Sequence, residues 1–160
     1  MATVVIAEAG VNHNGDLARA KQLVQAAATA GADAVKFQTF TAADLATAAA
    51  PMAEYQTNND GVGSQRDMLA RLELSPDQHS ELAAYCRECD ISFLSTAFGL
   101  SELEMLLELG ISAIKVPSGE ITHRPLLEAM ATAAASSQLP VYLSTGMSTL
   151  GEVEAALQIF

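Results

Sequence analysis

Two lysines stand where lysines are costly. Lys36 lies in Ala32–Phe37 (ADAVKF) and Lys115 in Ala113–Val116 (AIKV), runs that are otherwise mostly apolar. A buried ammonium is unfavourable unless it is paired or holds an anion. Two readings follow. Each lysine pairs with a neighbouring carboxylate, Glu8 or Glu120 being at hand, or both hold a phosphorylated or carboxylated ligand. The surrounding residues favour the ligand: Thr96, Ser118 and Ser144 add neutral donors, and the glycines beside them let backbone N–H groups approach. Glu8 and Glu120 are then the candidate general acids or bases, since a carboxylate beside a bound anion suits proton transfer.

The remaining chemistry-bearing residues are weaker signals. His13, in Glu8-Ala9-Gly10-Val11-Asn12-His13-Asn14-Gly15, is expected to face a ligand. His79 falls in a helical pattern and reads as a solvated surface residue. His123, in Thr122-His123-Arg124-Pro125, is either a rim residue or a helix cap. No His, Asp or Glu cluster has metal-ligand spacing. Cys86-Arg87-Glu88-Cys89 sits at a helix C-terminus, whereas a redox pair prefers an N-terminus and zinc needs two more ligands. These cysteines read as structural thiols, reduced in a cytoplasmic protein.

The elements that must position these residues alternate. Strand-like runs at Thr3–Ala7, Ala32–Phe37, Ile91–Ser95, Ala113–Val116 and Pro140–Ser144 are separated by helical patterns. Helices are expected to begin at Asp16, Ser75-Pro76, Ser101, Pro125 and Thr149, and Gly31 and Gly110 are expected to end two of them. Such alternation gives a parallel α/β sheet covered by helices. A doubly wound open sheet and part of a (β/α)8 barrel both fit. In either, the carboxyl ends of the strands share one rim, which is where the candidate residues fall. About 34 residues separate Phe40 from Ser75, a connection long enough to suggest function. It holds Tyr55–Gly61 and a short helical pattern over Ser64–Leu72.

Composition excludes several classes. The chain has 160 residues, half of them hydrophobic, with 8 Lys and Arg against 19 Asp and Glu, a net charge of −11. One domain with a real core is expected, not a disordered chain or a disulfide scaffold. Such acidity argues against nucleic-acid binding. Residues 1–12 do not read as a signal peptide, and no apolar run approaches the roughly 20 residues of a membrane span. A soluble, cytoplasmic protein is the expectation.

Six motifs in order carry a resemblance: Glu8–Gly15, Val35-Lys36-Phe37-Gln38-Thr39, Leu72-Glu73-Leu74-Ser75, Phe93-Leu94-Ser95-Thr96, Lys115-Val116-Pro117-Ser118-Gly119-Glu120 and Leu143-Ser144-Thr145-Gly146-Met147. Together they resemble the sialic acid synthase family: N-acetylneuraminate synthase, its legionaminate and pseudaminate relatives, and spore-coat polysaccharide proteins of this type. The resemblance implies a (β/α)8 TIM-type barrel followed by a small antifreeze-like domain, in a domain-swapped homodimer. It implies condensation of phosphoenolpyruvate with an N-acetylated mannosamine-type sugar to a nine-carbon 2-keto-3-deoxy acid and phosphate. Mn²⁺ or Mg²⁺ is required, polarising the sugar aldehyde. Carried over by position, Lys36, Thr96, Lys115, Ser118 and Ser144 resemble the phosphoenolpyruvate cradle. Glu8 and Gln38 match positions facing the sugar and the reacting centre. Glu120 matches a carboxylate that manages the attacking water, and the Gln56–Asn59 stretch, Asn58 included, matches a sugar-contacting loop.

The pattern departs in two places. Ala97 and Gly99 stand where the family usually has Pro and Asp. The family's metal-binding histidines and further phosphate contacts lie on later strands, beyond Phe160, and so does the antifreeze-like domain. Residues 1–160 therefore read as the N-terminal part of the barrel, about five βα units, with the last helical pattern running to Phe160 without a stop signal. The first and fifth strands are expected to be open edges, and the chain alone is expected to be inactive. Two other readings remain: a synthase acting on a sugar phosphate, which needs cations this rim lacks, and a non-catalytic phosphoenolpyruvate-binding half-barrel.

Overall fold

The computed structural model describes residues 3–48 and 64–160. Its five strands are β1 (Ile6–Gly10), β2 (Ala34–Thr39), β3 (Ser92–Ala97), β4 (Ile114–Val116) and β5 (Val141–Leu143). They form one sheet in the order β1-β2-β3-β4-β5, with every neighbouring pair parallel. Helix α1 (Leu17–Thr29) joins β1 to β2. Between β2 and β3 come α2 (Ala42–Leu45), α3 (Gln65–Ala70) and α4 (Pro76–Glu88). Helix α5 (Leu100–Glu108) precedes β4, a 3₁₀ turn (Ser118–Glu120) and α6 (Arg124–Ser137) follow it, and α7 (Leu150–Leu157) follows β5.

The strand order decides between the two architectures. A right-handed crossover puts each helix on the same face when strands are laid down in one direction; a doubly wound sheet must reverse direction to cover its second face. This sheet never reverses. It is one wall of a TIM-type barrel, helices outside and an inner face left for the barrel interior.

Side-chain alternation follows from that wall. In β2, Val35, Phe37 and Thr39 are buried while Lys36 and Gln38 are half-buried. The outward set, with Phe93, Ile114 and Val116 from the next strands, packs on Val24, Leu82, Leu106, Leu126 and Met130 of the helices. Phe37 is central, its ring stacked on Phe93 at 6.0 Å and tilted against His13 at 6.1 Å. Phe37→Ala is expected to lower the free energy of unfolding by about 3–5 kcal/mol, read as a shift in urea midpoint. A shift under about 1 kcal/mol would mean the core is not organised around this ring.

The helix starts follow the sequence. The Asp16 carboxylate accepts from the N–H groups of Ala18 at 2.7 Å and Arg19 at 3.2 Å. Ser75 and Gln78 form a reciprocal capping box, as do Thr149 and Glu152. Gly31 and Gly110 take φ of +79° and +75° just past α1 and α5.

Several boundaries differ from the sequence reading. β1 begins at Ile6 rather than Thr3, because Val5 turns to Asp33: its N–H donates to the Asp33 carboxylate at 2.7 Å. β2 and β3 run on to Thr39 and Ala97, so Gln38 and Thr96 are strand residues. α5 starts at Leu100 after Gly99, and the Ser101 hydroxyl donates to the Glu102 carboxylate instead of capping the helix. Glu102 itself places a buried negative charge in the first turn of α5, where the helix dipole favours it. α7 ends at Leu157, capped at Gln158, rather than running on to Phe160. The short helix α2 carried no clear periodic signal.

β1 and β5 each have one neighbour, as expected of open edges. Val4 and Val5 beside β1, and Tyr142 and Leu150 by β5, are exposed. Among the described residues no helix is long and apolar enough to cross a membrane.

Candidate functional site

Strand register lines up the candidate residues. Glu8 is level with Lys36, Gln38 with Thr96, Thr96 with Lys115, and Lys115 with Tyr142. Two inner-face rows result near the carboxyl ends of the strands: Glu8 and Lys36 in one, and Gln38, Thr96, Lys115 and Tyr142 in the next, two residues further along β2 and β3. Tyr142 belongs to the second row and was missed, because Pro140–Ser144 reads as uniformly buried although its alternate positions face inward.

The two lysines divide between the two sequence readings. Lys36 forms an ion pair with Glu8. Lys115 has no carboxylate within ion-pair distance among the described residues; its ammonium donates to the Val116 carbonyl at 2.6 Å. Burial, then the neighbouring Lys36 charge, lowers its pKa to about 8, with Glu8 opposing. A half-buried cation without a carboxylate partner among the described residues carries an uncompensated desolvation cost, which an anion would relieve.

Gly10 explains how Glu8 and Gln38 come together. With φ of +52° it sits in a bulge between β1 and β2. A Cβ there would lie 3.2 Å from Glu8 Oε1 and 3.8 Å from Gln38 Nε2, so both side chains lie across its bare backbone. On the other side, a Cβ on Gly146 would come within 3.3 Å of Ser118 Oγ. Ser118, Gly146, Thr122, Ser148 and Glu152 line a cavity of about 300 Å³ between the loops after β4 and β5. The Ser144 N–H donates to the Val116 carbonyl at 3.1 Å, extending the ladder to the rim and placing Ser144 beside the β4 end.

Glu120 is drawn away from the lysines. It ends the 3₁₀ turn, and its Oε2 lies 2.7 Å from His123 Nδ1. His123 is therefore a rim residue paired to a candidate acid–base group, and it directly precedes α6 without making a side-chain cap. Asn58 and the rest of Gln56–Asn59 lie outside the described residues.

Two histidine expectations are corrected. His13 is fully buried rather than ligand-facing. The turn through Asn14 and Gly15, both at positive φ, tucks it under the rim loop, where the Gly15 N–H donates to its Nδ1 at 3.0 Å. Its Nε2 carries the proton and has no partner among the described residues. His79 is buried too, at 1% exposure. It shares the inward face of α4 with Leu82, Ala83 and Cys86, at helical spacing. Burial lowers the pKa of both imidazoles; a charge on His79 lowers that of His13 further, while backbone hydrogen bonds, the Ser75 carbonyl first, oppose the shift of His79.

The cysteines behave as structural thiols. Both are free, and burial followed by the Cys89 charge pushes Cys86 up to about 12. A thiol reagent near pH 8 is expected to label Cys89 in the native protein and spare Cys86 until unfolding. Equal labelling of both would contradict that burial. Among the described residues no three His, Cys, Asp or Glu side chains are grouped to hold a metal ion.

A wall of parallel strands in unreversed order, with helices on one face and lysines and hydroxyls at its carboxyl rim, defines an α/β-barrel protein. The chain belongs to the NeuB family, which it matches over residues 23–160. It is 48% identical to the N,N'-diacetyllegionaminic acid synthase of Campylobacter jejuni, over 98% of this chain and 46% of that protein. It is also 48% identical to the Legionella pneumophila enzyme of the same name, over 98% of this chain and 43% of that one. Among solved structures, the N-acetylneuraminic acid synthetase of Leptospira borgpetersenii, in complex with citrate, superposes with TM-score 0.81 at 31% identity. That match covers 99% of this chain and 50% of the other. The chain spans about half the length of the relatives it matches.

Proposed function

We propose that this chain carries the phosphoenolpyruvate-binding wall of a synthase that condenses phosphoenolpyruvate with an N-acetylated amino sugar. The observation that carries the reading is Lys115: a half-buried ammonium without a carboxylate partner among the described residues, level with Thr96, one strand from Ser144 and next to the Lys36 charge. Phosphoenolpyruvate brings a carboxylate and a phosphate, and two cations with neutral hydroxyl donors suit both. The enol carbon attacks the aldehyde of the open-chain sugar. Water then adds to the oxocarbenium carbon, and the tetrahedral intermediate expels inorganic phosphate. In this reading Glu120, paired with His123, takes the proton of that water, and Glu8 and Gln38 face the sugar.

The acceptor is an acetamido sugar. The two relatives at 48% identity are named for a diacetylated product, which puts a sugar with two N-acetyl groups ahead of N-acetylmannosamine. Too few cations line the rim to favour a phosphorylated acceptor. Localisation in the cytoplasm, dimerisation and a requirement for Mn²⁺ or Mg²⁺ follow from the same reading.

Residues 1–160 alone are proposed to bind phosphoenolpyruvate without turning it over, since both sheet edges are open and the described residues group no metal ligands. The test measures phosphoenolpyruvate binding and phosphate release by this chain, with each acetamido sugar and its phosphate, with and without Mn²⁺. Binding without release supports the reading. Release by this chain overturns its inactivity, and absence of binding overturns the cradle.

A further inference from the structure

Behind Gln38 and Thr96, on the helix side of the sheet, lies a buried chain of hydrogen bonds. His79 Nδ1 is 3.0 Å from the Ser75 carbonyl, His79 Nε2 is 3.0 Å from Thr39 Oγ1, and Thr39 Oγ1 is 2.7 Å from Ser95 Oγ. Thr39, His79 and Ser95 are all at most 3% exposed. The proton order is dictated by the partners. A carbonyl only accepts, so Nδ1 carries the proton and donates to Ser75. Nε2 must then accept from Thr39, and the Thr39 hydroxyl, having donated, accepts from Ser95. The imidazole is neutral and its tautomer is fixed.

We propose that His79 is a positioning residue: through Thr39 and Ser95 it locks the carboxyl ends of β2 and β3, and so holds Gln38 and Thr96 toward the ligand. This rests on the reading of those two residues as ligand-facing. Thr39 directly follows Gln38, Ser95 directly precedes Thr96, and Gln38 and Thr96 are register partners. A one-residue slip of either strand would turn Gln38 or Thr96 under the helices. The slip would also break the chain and bury unsatisfied hydroxyls, which is costly. The Phe98 N–H, donating to the Thr39 carbonyl at 3.2 Å, ties the same strand ends from the backbone. The Ser75 end of the chain is itself fixed by the capping box of α4.

Three variants separate hydrogen bonding from filling space. In His79→Gln the amide N–H can donate to Ser75 and the amide oxygen can accept from Thr39. His79→Phe fills the space without either bond, and Thr39→Val removes only the hydroxyl. The readouts on the 160-residue chain are phosphoenolpyruvate affinity, thermal midpoint, and the NMR resonances of the Gln38 side-chain amide and the Thr96 backbone amide. His79→Gln is expected within about twofold of wild-type affinity, and His79→Phe and Thr39→Val at least about tenfold weaker while still folded. Both amides are expected to move in the last two variants and to return in His79→Gln. Wild-type affinity in Thr39→Val, or equal loss in His79→Gln and His79→Phe, would overturn the proposal. Should His79→Phe fail to fold, Thr39→Val decides alone. If the wild-type chain binds no phosphoenolpyruvate, the ligand reading fails, and the two amide resonances still decide: unchanged in Thr39→Val, they overturn the positioning role; moved, they support it.

Discussion

Lys115→Met is expected to weaken phosphoenolpyruvate binding by about 10–100-fold while leaving the thermal midpoint unchanged or raised. A charge-assisted hydrogen bond from a half-buried ammonium to a carboxylate or phosphate contributes about 1.5–3 kcal/mol, which is that range of affinity. What the unliganded protein loses is the hydrogen bond from Lys115 to the Val116 carbonyl, about 0.5–1.5 kcal/mol, and that is offset by removing a desolvated charge. Lys115 has no carboxylate partner among the described residues, its ammonium is partly desolvated, and the Lys36 charge opposes its own. Methionine keeps the stem and removes the charge that burial penalises. The pH dependence separates this account from a packing effect. With its pKa lowered to about 8, Lys115 loses its charge as pH rises above that value, and an anion prefers the charged form. Wild-type affinity should therefore fall about tenfold per pH unit above about pH 8, and the Met variant should be flat in that window. Titrations by ³¹P NMR near pH 7 and pH 9.5 would measure both. A variant that binds as tightly as wild type, or keeps the wild-type slope, would remove Lys115 from the ligand.

The sequence showed which residues stand on the rim because polar residues at alternate positions in apolar runs are hard to place elsewhere. Lys36, Thr96 and Lys115 all came to the inner face, in adjacent register. What it could not show was how charge is shared among them. Among the described residues Lys36 and Glu8 neutralise each other, Glu120 turns to His123, and Lys115 is left without a carboxylate. Pair choice depends on where a loop turns, as the bulge at Gly10 and the 3₁₀ turn after Pro117 do here. Spacing alone does not encode that.

Periodicity carried the fold to the level of βα alternation; the barrel came from the six-motif resemblance, and the strand order bears it out. Barrel and open sheet need the same local patterns; they differ in the order of strand pairing, a long-range property. The end of β3 moved because Thr96 was placed after the strand. A strand with one face toward a barrel interior carries polar residues in its last turns, so polarity there marks the site and not the end of the strand. His79 had a signal that composition obscured: positions 79, 82, 83 and 86 share one face of α4, and a histidine on that face is buried with the rest. His13 had none, since only the positive φ of Asn14 and Gly15 brings it under the loop.

These two histidines set the behaviour of the protein in acid. Both are buried and neutral in the folded state, with pKa values held below the usual 6.5 chiefly by burial. In the unfolded chain they titrate near 6.5. Below that pH the unfolded state takes up protons that the folded state refuses, so the free energy of unfolding falls with pH. It is fully present above about 6.5, and each histidine contributes a slope of about 1.4 kcal/mol per pH unit, or about 2.7 for both, until the folded values are reached. For a domain stable by about 5–15 kcal/mol that is a large share within one or two pH units. The capping carboxylates Asp67 and Glu152 do not explain it, because their hydrogen bonds hold them below the usual range and they titrate further into acid. Urea unfolding between about pH 7 and pH 5 should show this slope in wild type and about half of it in His79→Gln, which keeps the hydrogen bonds and removes one proton site. A flat profile in wild type would mean that neither imidazole is held neutral, and an undiminished slope in His79→Gln would assign the effect elsewhere. The chemistry of the buried chain agrees with the sign: His79 Nε2 has to accept from Thr39, and a proton placed there turns the acceptor into a donor facing a hydroxyl that already donates to it.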